Sequence, residues 1–265
     1  MNQDLPQLLA GVRRIAAEAS AHIMRIYDQE FTVKSKDDES PLTGADLAAH
    51  RVIKNGLQAL TPELPQLSEE ASQIPFENRA SWPTYWLIDP LDGTREFVKR
   101  NGEFTVNIAL IEGHDVVLGV VAAPAKNLSY YAYRGHGAYK VVDGEQAARI
   151  TTRKIVPQKP RVAGSRSHAG DSLVAFLNKL GEYELISMGS AFKLCLVAEG
   201  LVDIYPRFGP TSEWDTAAAQ CVVEEAGGIV TDLKMNQLRY NSKESLLNPH
   251  FVVIGNPEHE WSRYL

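Results

Sequence analysis

Between residues 85 and 142, five runs rich in β-branched and aromatic residues follow one another with short breaks: YWLI (85–88), FTVNIALIE (104–112), DVVLGVVAAP (115–124), LSYYAYR (128–134) and GAYKVV (137–142). Runs this close together predict an antiparallel meander, with EGHD (112–115) as one hairpin turn. After residue 150 the pattern changes. RVAG, ELISM, LVDIYP, GGIVTD and FVVIG alternate with helix-like stretches, which predicts a second sheet with helices packed on it. Apolar residues recur at three- and four-residue steps over 5–28, 45–60, 171–180, 190–199 and 214–226, the period of amphipathic helices. The fold class is therefore a layered α/β (α+β) sandwich, with an N-terminal α+β half (1–150) and a C-terminal α/β half (151–265). TTRKIVPQKP (151–160), polar and with two prolines, marks the boundary. KSKDDESPLTGAD (34–46) is polar and loop-like, a candidate flap over a site.

A chain of 265 residues, 44% hydrophobic and 23% charged, is long enough to bury a sizeable core as one large domain or two small ones. No window approaches the roughly 18 apolar residues of a membrane span, so no integral membrane segment is expected. The N-terminus reads as an amphipathic helix rather than a signal peptide, which points to the cytoplasm. Cys195 and Cys221 stand in apolar helical runs without CxxC spacing and are expected as buried free thiols. A net charge of −6 with no basic run argues against a nucleic-acid polymer as partner. It leaves room for a single nucleotide, which needs only a few well-placed cations.

The apolar run at 85–88 leads directly into Asp89 and Asp92, in WLIDPLDGT. Taken alone, PLDG is good turn chemistry, because proline fixes φ and glycine accepts positive φ. Other acids change the picture: Glu69 and Glu70 close PQLSEE, and Asp215 opens the helix WDTAAAQCVVEEAGG. Strand ends and helix starts are where sites form in α/β folds. Bare carboxylates brought to about 4 Å repel by roughly 4 kcal/mol per pair at an effective dielectric near 20, so such a cluster must protonate or bind cations. Oxygen donors without histidine or cysteine favour Mg²⁺, which keeps several waters and accepts phosphate oxygens. Pro90 stiffens the turn so that both acids and the Leu91 carbonyl can face one point. Gly93 and Thr94 then open TREFVKR, whose free N–H groups suit a phosphate.

LSEE, WLIDPLDGTREFVKRNGEFTVNIALI and EWDTAAAQCVVEEAGG, in this order, resemble the Mg²⁺-dependent, lithium-sensitive phosphatases of the inositol monophosphatase superfamily. Within it they are most similar to the bacterial 3′(2′),5′-bisphosphate nucleotidase branch. The resemblance implies an inositol monophosphatase/fructose bisphosphatase-like fold of alternating α-β-α-β-α layers. It implies that Glu69, Asp89, the Leu91 carbonyl, Asp92 and Asp215 hold two or three Mg²⁺ ions. Glu70 and Thr94 would orient the attacking water, with Asp46 polarising the Thr94 hydroxyl; helix capping is the plainer alternative for Asp46 and Thr94. The substrate would also touch Glu69, Leu91, Asp92, Gly93, Thr94 and Asp215.

SRSH (165–168), MGSAFK (188–193) and YPRFGP (205–210) resemble segments that hold an adenosine 5′-phosphate in that branch, which implies roles for His168, Ser190, Lys193 and Arg207. Each has a simpler alternative: a helix cap for His168, a solvated helix face for Lys193, loop packing for Arg207. The implied activity is hydrolysis of the 3′-phosphate of adenosine 3′,5′-bisphosphate (PAP) to AMP, with 3′-phosphoadenosine 5′-phosphosulfate (PAPS) as a further substrate, in sulfate assimilation. The implied state is a monomer, with loose attachment to the inner membrane left open. An inositol or sugar monophosphatase of the same superfamily is the alternative, and a non-catalytic nucleotide or metal sensor is the alternative of another class. Arg95 departs from the lysine common after DGT, and Glu224-Glu225 stand where small residues are common, which could alter the charge near the site.

Overall fold

The computed structural model describes residues 4–29, 33–35, 41–143, 145–164 and 170–265. The first part of the chain forms α1 (Leu5–Tyr27), β1 (Val33–Ser35), β2 (Pro41–Thr43), α2 (Gly44–Leu60), β3 (Gln66–Ser68) and α3 (Phe76–Arg79). It continues with β4 (Thr84–Asp92), α4 (Thr94–Val98), β5 (Thr105–Glu112), β6 (Asp115–Ala123), β7 (Leu128–Tyr133), β8 (Ala138–Val142) and β9 (Ala148–Ile150). The remainder forms β10 (Arg161–Gly164), α5 (Asp171–Leu180), β11 (Glu184–Ser187), α6 (Phe192–Ala198), β12 (Ile204–Arg207), α7 (Glu213–Glu225), β13 (Ile229–Asp232) and β14 (Phe251–Ile254).

Local chemistry starts the long helices where the periodicity predicts them. Asp4 accepts the Gln7 N–H at 3.2 Å ahead of α1, whose buried stripe runs Leu8, Val12, Ile15, Ala19, Ile23. Thr43 and Asp46 close a capping box at the start of α2. The polar reading of 34–46 is only partly right: 33–35 pair antiparallel with 41–43, and α2 has begun by Gly44. Residues 36–40 of the candidate flap lie outside the described residues.

Two sheets carry the architecture. The larger runs β3-β4-β5-β6-β7-β8-β9, parallel only at β3/β4; the expected meander is β4 to β8, and β9 extends it by a further antiparallel strand. The smaller runs β11-β10-β12-β14-β13. Alternate side chains assign the layers. Trp86 and Ile88 of β4 pack with α1 and α2, whereas Tyr85 and Leu87 pack with Phe192 of α6 and Val222 of α7. On β14, Phe251 and Val253 join that same central core, while Val252 and Ile254 face Leu173 and Phe176 of α5. The order is thus α-β-α-β-α, with α6 and α7 between the sheets. Gly119 permits the closest approach: a Cβ there would lie 2.1 Å from the Ala218 carbonyl oxygen of α7.

Residues 151–160 join the last strand of one sheet to the first strand of the other. Cys195 and Cys221 are buried and free, and burial pushes both thiols up. Among the described residues, no helix is long and apolar enough to cross a membrane.

Candidate metal and phosphate site

The strand read as ending at Ile88 runs on to Asp92. On β5, Asn107 faces Asp89 and Thr105 faces Asp92, so three steps on β4 match two on β5. Pro90, which has no N–H to give the ladder, sits inside this bulge. In a regular strand Asp89 and Asp92 would point to opposite faces. The extra residue turns both toward the α6/α7 layer.

Asp215 comes to them from the first turn of α7. Its Oδ2 accepts the Ser212 N–H at 2.9 Å, a capping box that fixes the carboxylate at the helix start. One oxygen each from Asp89, Asp92 and Asp215 lies within 4.8 Å of the others. Parallel pairing of Ser68 with Ile88 sets Glu69 beside Asp89, and the two side chains are hydrogen-bonded. Glu70 follows in the same one-turn helix, Glu69–Ala71, half-buried. Leu91 is buried, and its N–H donates to Asp89 Oδ1 at 3.0 Å.

Burial dominates the electrostatics of this group. Asp89 is pushed well above the usual carboxylate range by burial and then by the charges of Glu69, Asp92 and Asp215. Asp215 rises to about 8, from burial and then from Asp92 and Glu69. Asp92 rises only to about 6, because the Lys193 ammonium and the Ala191 N–H oppose the burial. Such a set of oxygen donors fits a hard divalent cation, which would relieve the repulsion that otherwise keeps protons on it.

Thr94 opens α4 after Gly93, whose φ of +91° is in the left-handed region. A Cβ at Gly93 would stand 3.0 Å from the Glu103 carbonyl oxygen and 3.3 Å from Ser190 Cβ, so glycine is required twice over. The Thr94 hydroxyl donates to Asp46 Oδ1 at 3.1 Å. Asp46 Oδ2 meanwhile accepts from the Thr43 hydroxyl at 2.6 Å and the Thr43 N–H at 2.8 Å. Asp46 thus both caps α2 and orients Thr94, so the two sequence readings are not exclusive.

Asp92, Gly93, Ser190, Lys193, Arg207 and Asp215 all line one cavity of about 160 Å³. Lys193 is 6% exposed, not on a solvated helix face: every residue of α6 is buried, because the helix lies between two sheets. Its ammonium donates to the carbonyls of Ser190 at 2.7 Å and Met188 at 3.2 Å, and burial lowers its pKa to about 8. Arg207 ends β12, with Nε bonded to Thr211 Oγ1 at 2.7 Å and Nη2 to the Pro210 carbonyl at 3.0 Å. Helix α6 starts at Phe192 rather than 190 because Ser190 has φ +47°.

His168 lies outside the described residues. Glu224 and Glu225 stand at the far end of α7 from Asp215, about 15 Å along a helix rising 1.5 Å per residue. The charge change expected near the site is therefore remote from it. Glu225 instead accepts the N–H groups of Gly135, His136 and Gly137, and Glu224 accepts from Gln220 and Gln237. Sequence reasoning missed Tyr205, Thr211 and Arg95 on the cavity wall and Glu103 behind it. Tyr205 was within reach as the neighbour of Arg207 in YPRFGP; nothing local marks Glu103.

Known proteins share this arrangement of chain. The bisphosphate nucleotidase named 3′(2′),5′-bisphosphate nucleotidase CysQ of Salmonella typhimurium is 50% identical over 248 residues, 93% of this chain and 99% of that protein. The protein of the same name from Aggregatibacter actinomycetemcomitans is 41% identical over 257 residues, 97% of this chain and 96% of that one. The crystal structure of CysQ from Bacteroides thetaiotaomicron, described as a bacterial member of the inositol monophosphatase family, superposes with a TM-score of 0.84 at 40% identity. That match covers 95% of this chain and 98% of the other. The profile of the Inositol monophosphatase family matches residues 4–261. The chain belongs to the inositol monophosphatase family.

Proposed function

We propose that this protein is a Mg²⁺-dependent phosphatase that hydrolyses the 3′-phosphate of adenosine 3′,5′-bisphosphate to AMP and phosphate. One observation carries the reading: two acids of the carboxylate cluster, Asp92 and Asp215, and two cationic side chains, Lys193 and Arg207, line the same cavity. A substrate with one phosphate at the carboxylates and a second at the cations matches both walls, and the nucleotidase names of the relatives point the same way. PAPS, with its 3′-phosphate intact, would be a further substrate of the same pocket.

In this reading Glu69, Asp89, the Leu91 carbonyl, Asp92 and Asp215 hold two or three Mg²⁺ ions. Bound there, the cations supply charge neutralisation for the phosphoryl oxygens and acidify a water. The chain's own groups do the positioning. The Thr94 proton is directed to Asp46, which leaves the Thr94 oxygen lone pairs to accept a hydrogen bond from the attacking water. Glu70, beside Glu69, takes up the proton that this water loses. The water oxygen bonds to phosphorus, the bond from phosphorus to the ribose 3′-oxygen breaks, and that oxygen leaves as the alcohol after taking a proton from solvent water, while Glu70 returns its proton to solvent. Lys193, Arg207, Ser190 and His168 hold the 5′-phosphate.

Phosphate release from adenosine 3′,5′-bisphosphate and from inositol 1-phosphate, each with and without Mg²⁺, tests the reading. Faster Mg²⁺-dependent turnover of the bisphosphate is expected. Faster turnover of inositol 1-phosphate would make the protein an inositol monophosphatase instead, and no turnover of either would leave the sensor reading.

A further inference from the structure

The connection between β11 and α6 is held from both sides by carboxylates. Glu103 Oε2 accepts the Gly189 N–H at 2.8 Å, and Asp92 Oδ2 accepts the Ala191 N–H at 2.6 Å. Both acids come from the same stretch of the large sheet: Asp92 pairs with Thr105, and Glu103 stands two residues before Thr105. Ser190 arches between the two bonded amides with φ +47°, and its buried hydroxyl oxygen has no hydrogen-bond partner although it lies on the cavity wall. Lys193 ties the carbonyls of Met188 and Ser190 from the other side. The segment has no slack. A Cβ at Gly189 would fall 2.8 Å from the Glu103 carbonyl oxygen and 2.8 Å from Glu96 Cγ.

We infer that Glu103 is a positioning residue that clamps residues 188–191 to the carboxylate cluster, so that filling the phosphate-binding end of the cavity and binding a cation at Asp92 strengthen each other. The inference rests on the proposed function, which gives the cavity its nucleotide and Asp92 its cation. The physical link is short. A 5′-phosphate drawn to Ser190 and Lys193 fixes the segment, and the fixed segment holds the Ala191 N–H on Asp92 Oδ2. That bond settles which Asp92 oxygen stays free for the cation. Coupling of two binding events is reciprocal, so the cation must equally order the segment. Without the Glu103 carboxylate the Gly189 end is released, and the two events become independent.

Titration calorimetry of Mg²⁺ into the whole protein, with and without saturating AMP, tests this in wild type, Glu103→Ala and Glu103→Gln. AMP carries the 5′-phosphate alone. In wild type, AMP is expected to tighten Mg²⁺ binding by about fivefold or more, the lower end of ordinary coupling. Glu103→Gln, whose amide oxygen can still accept the Gly189 N–H, is expected to keep most of this, and Glu103→Ala to lose it while still binding both ligands. If Glu103→Ala does not fold, hydrogen exchange in wild type decides: Mg²⁺ alone should slow exchange at the Gly189 and Ala191 amides. AMP binding without any change in Mg²⁺ affinity, coupling retained in Glu103→Ala, or exchange indifferent to Mg²⁺ would each overturn the inference while leaving the proposed function standing. Failure of AMP to bind at all would overturn both.

Discussion

Thr94 donates its hydroxyl proton to Asp46 across 48 residues of sequence, at 3.1 Å, while the second Asp46 oxygen is held by Thr43. In the proposed mechanism the direction of that proton leaves the Thr94 oxygen to accept a hydrogen bond from the attacking water. Thr94→Ala should lower kcat on the order of 100-fold, the scale of one general acid–base contribution, with little change in KM. Thr94→Ser should stay within about tenfold of wild type, since it keeps the hydroxyl. Steady-state kinetics on the bisphosphate checks both, and a Thr94→Ala enzyme at wild-type speed would remove the hydroxyl from the reaction path.

The carboxylate cluster makes metal-free stability depend on pH. Asp92 and Asp215 have folded-state pKa values of about 6 and about 8 against an ordinary 3.8. The stability they contribute is fully present below about pH 4 and is lost as pH rises through 6 and then 8, because the folded state holds the extra protons. In chelator, Tm should therefore fall between pH 5 and about 8. Mg²⁺ should raise Tm most at the alkaline end of that range. A Mg²⁺ effect independent of pH would contradict this.

Lys193 predicts an alkaline limit for substrate binding. Its ammonium, held down to about 8 by burial, feels the negative charges of Asp92, Glu96 and Glu103 and the positive charge of Arg207. Below pH 8 it is charged, as the proposed 5′-phosphate contact requires; above pH 8 it loses that charge. KM for the bisphosphate should rise above pH 8, and Lys193→Met should remove this rise along with most of the affinity. A substrate without a second phosphate should show neither effect.

Gly93→Ala should both destabilise and inactivate. A non-glycine residue at φ +91° costs about 1–2 kcal/mol, before the contact of its Cβ with the Glu103 carbonyl and Ser190 is counted. Thermal unfolding should show a lower Tm, and the remaining folded fraction should have a raised KM, because Ser190 is displaced. An unchanged KM would separate the turn from the phosphate-binding segment.

How much was legible in the sequence follows from how local each signal is. The helices of 5–27 and 213–225 and the strands of the meander were readable because each has its own period and its own cap or turn. Asp89, Asp92 and Asp215 were readable as a group only through motifs, since their convergence brings together two elements whose acids Asp92 and Asp215 are 123 residues apart by number. The bulge that turns Asp89 and Asp92 to one face was not readable, because register belongs to the partner strand, and WLIDPLD alone does not say which β5 residues it will face. For Lys193 the resemblance implied a phosphate-binding role, but the plainer alternative of a solvated face stayed open, because a single helix does not reveal that a sheet covers each side of it. Glu103 carried no signal at all: its role exists only in its bond to Gly189, 86 residues away.

The central claim is that carboxylates from β4 and α7 share a divalent cation, and Mg²⁺ titration calorimetry of wild type against Asp215→Asn tests it most directly. Asparagine can still cap α7 through its side-chain oxygen, so the helix start should survive. Wild type should bind Mg²⁺ with release of protons from the cluster, and Asp215→Asn should weaken binding by more than about 100-fold, beyond the roughly 10- to 100-fold that loss of an outer hydrogen bond around a metal typically costs. Equal Mg²⁺ affinity in the two proteins would contradict the account.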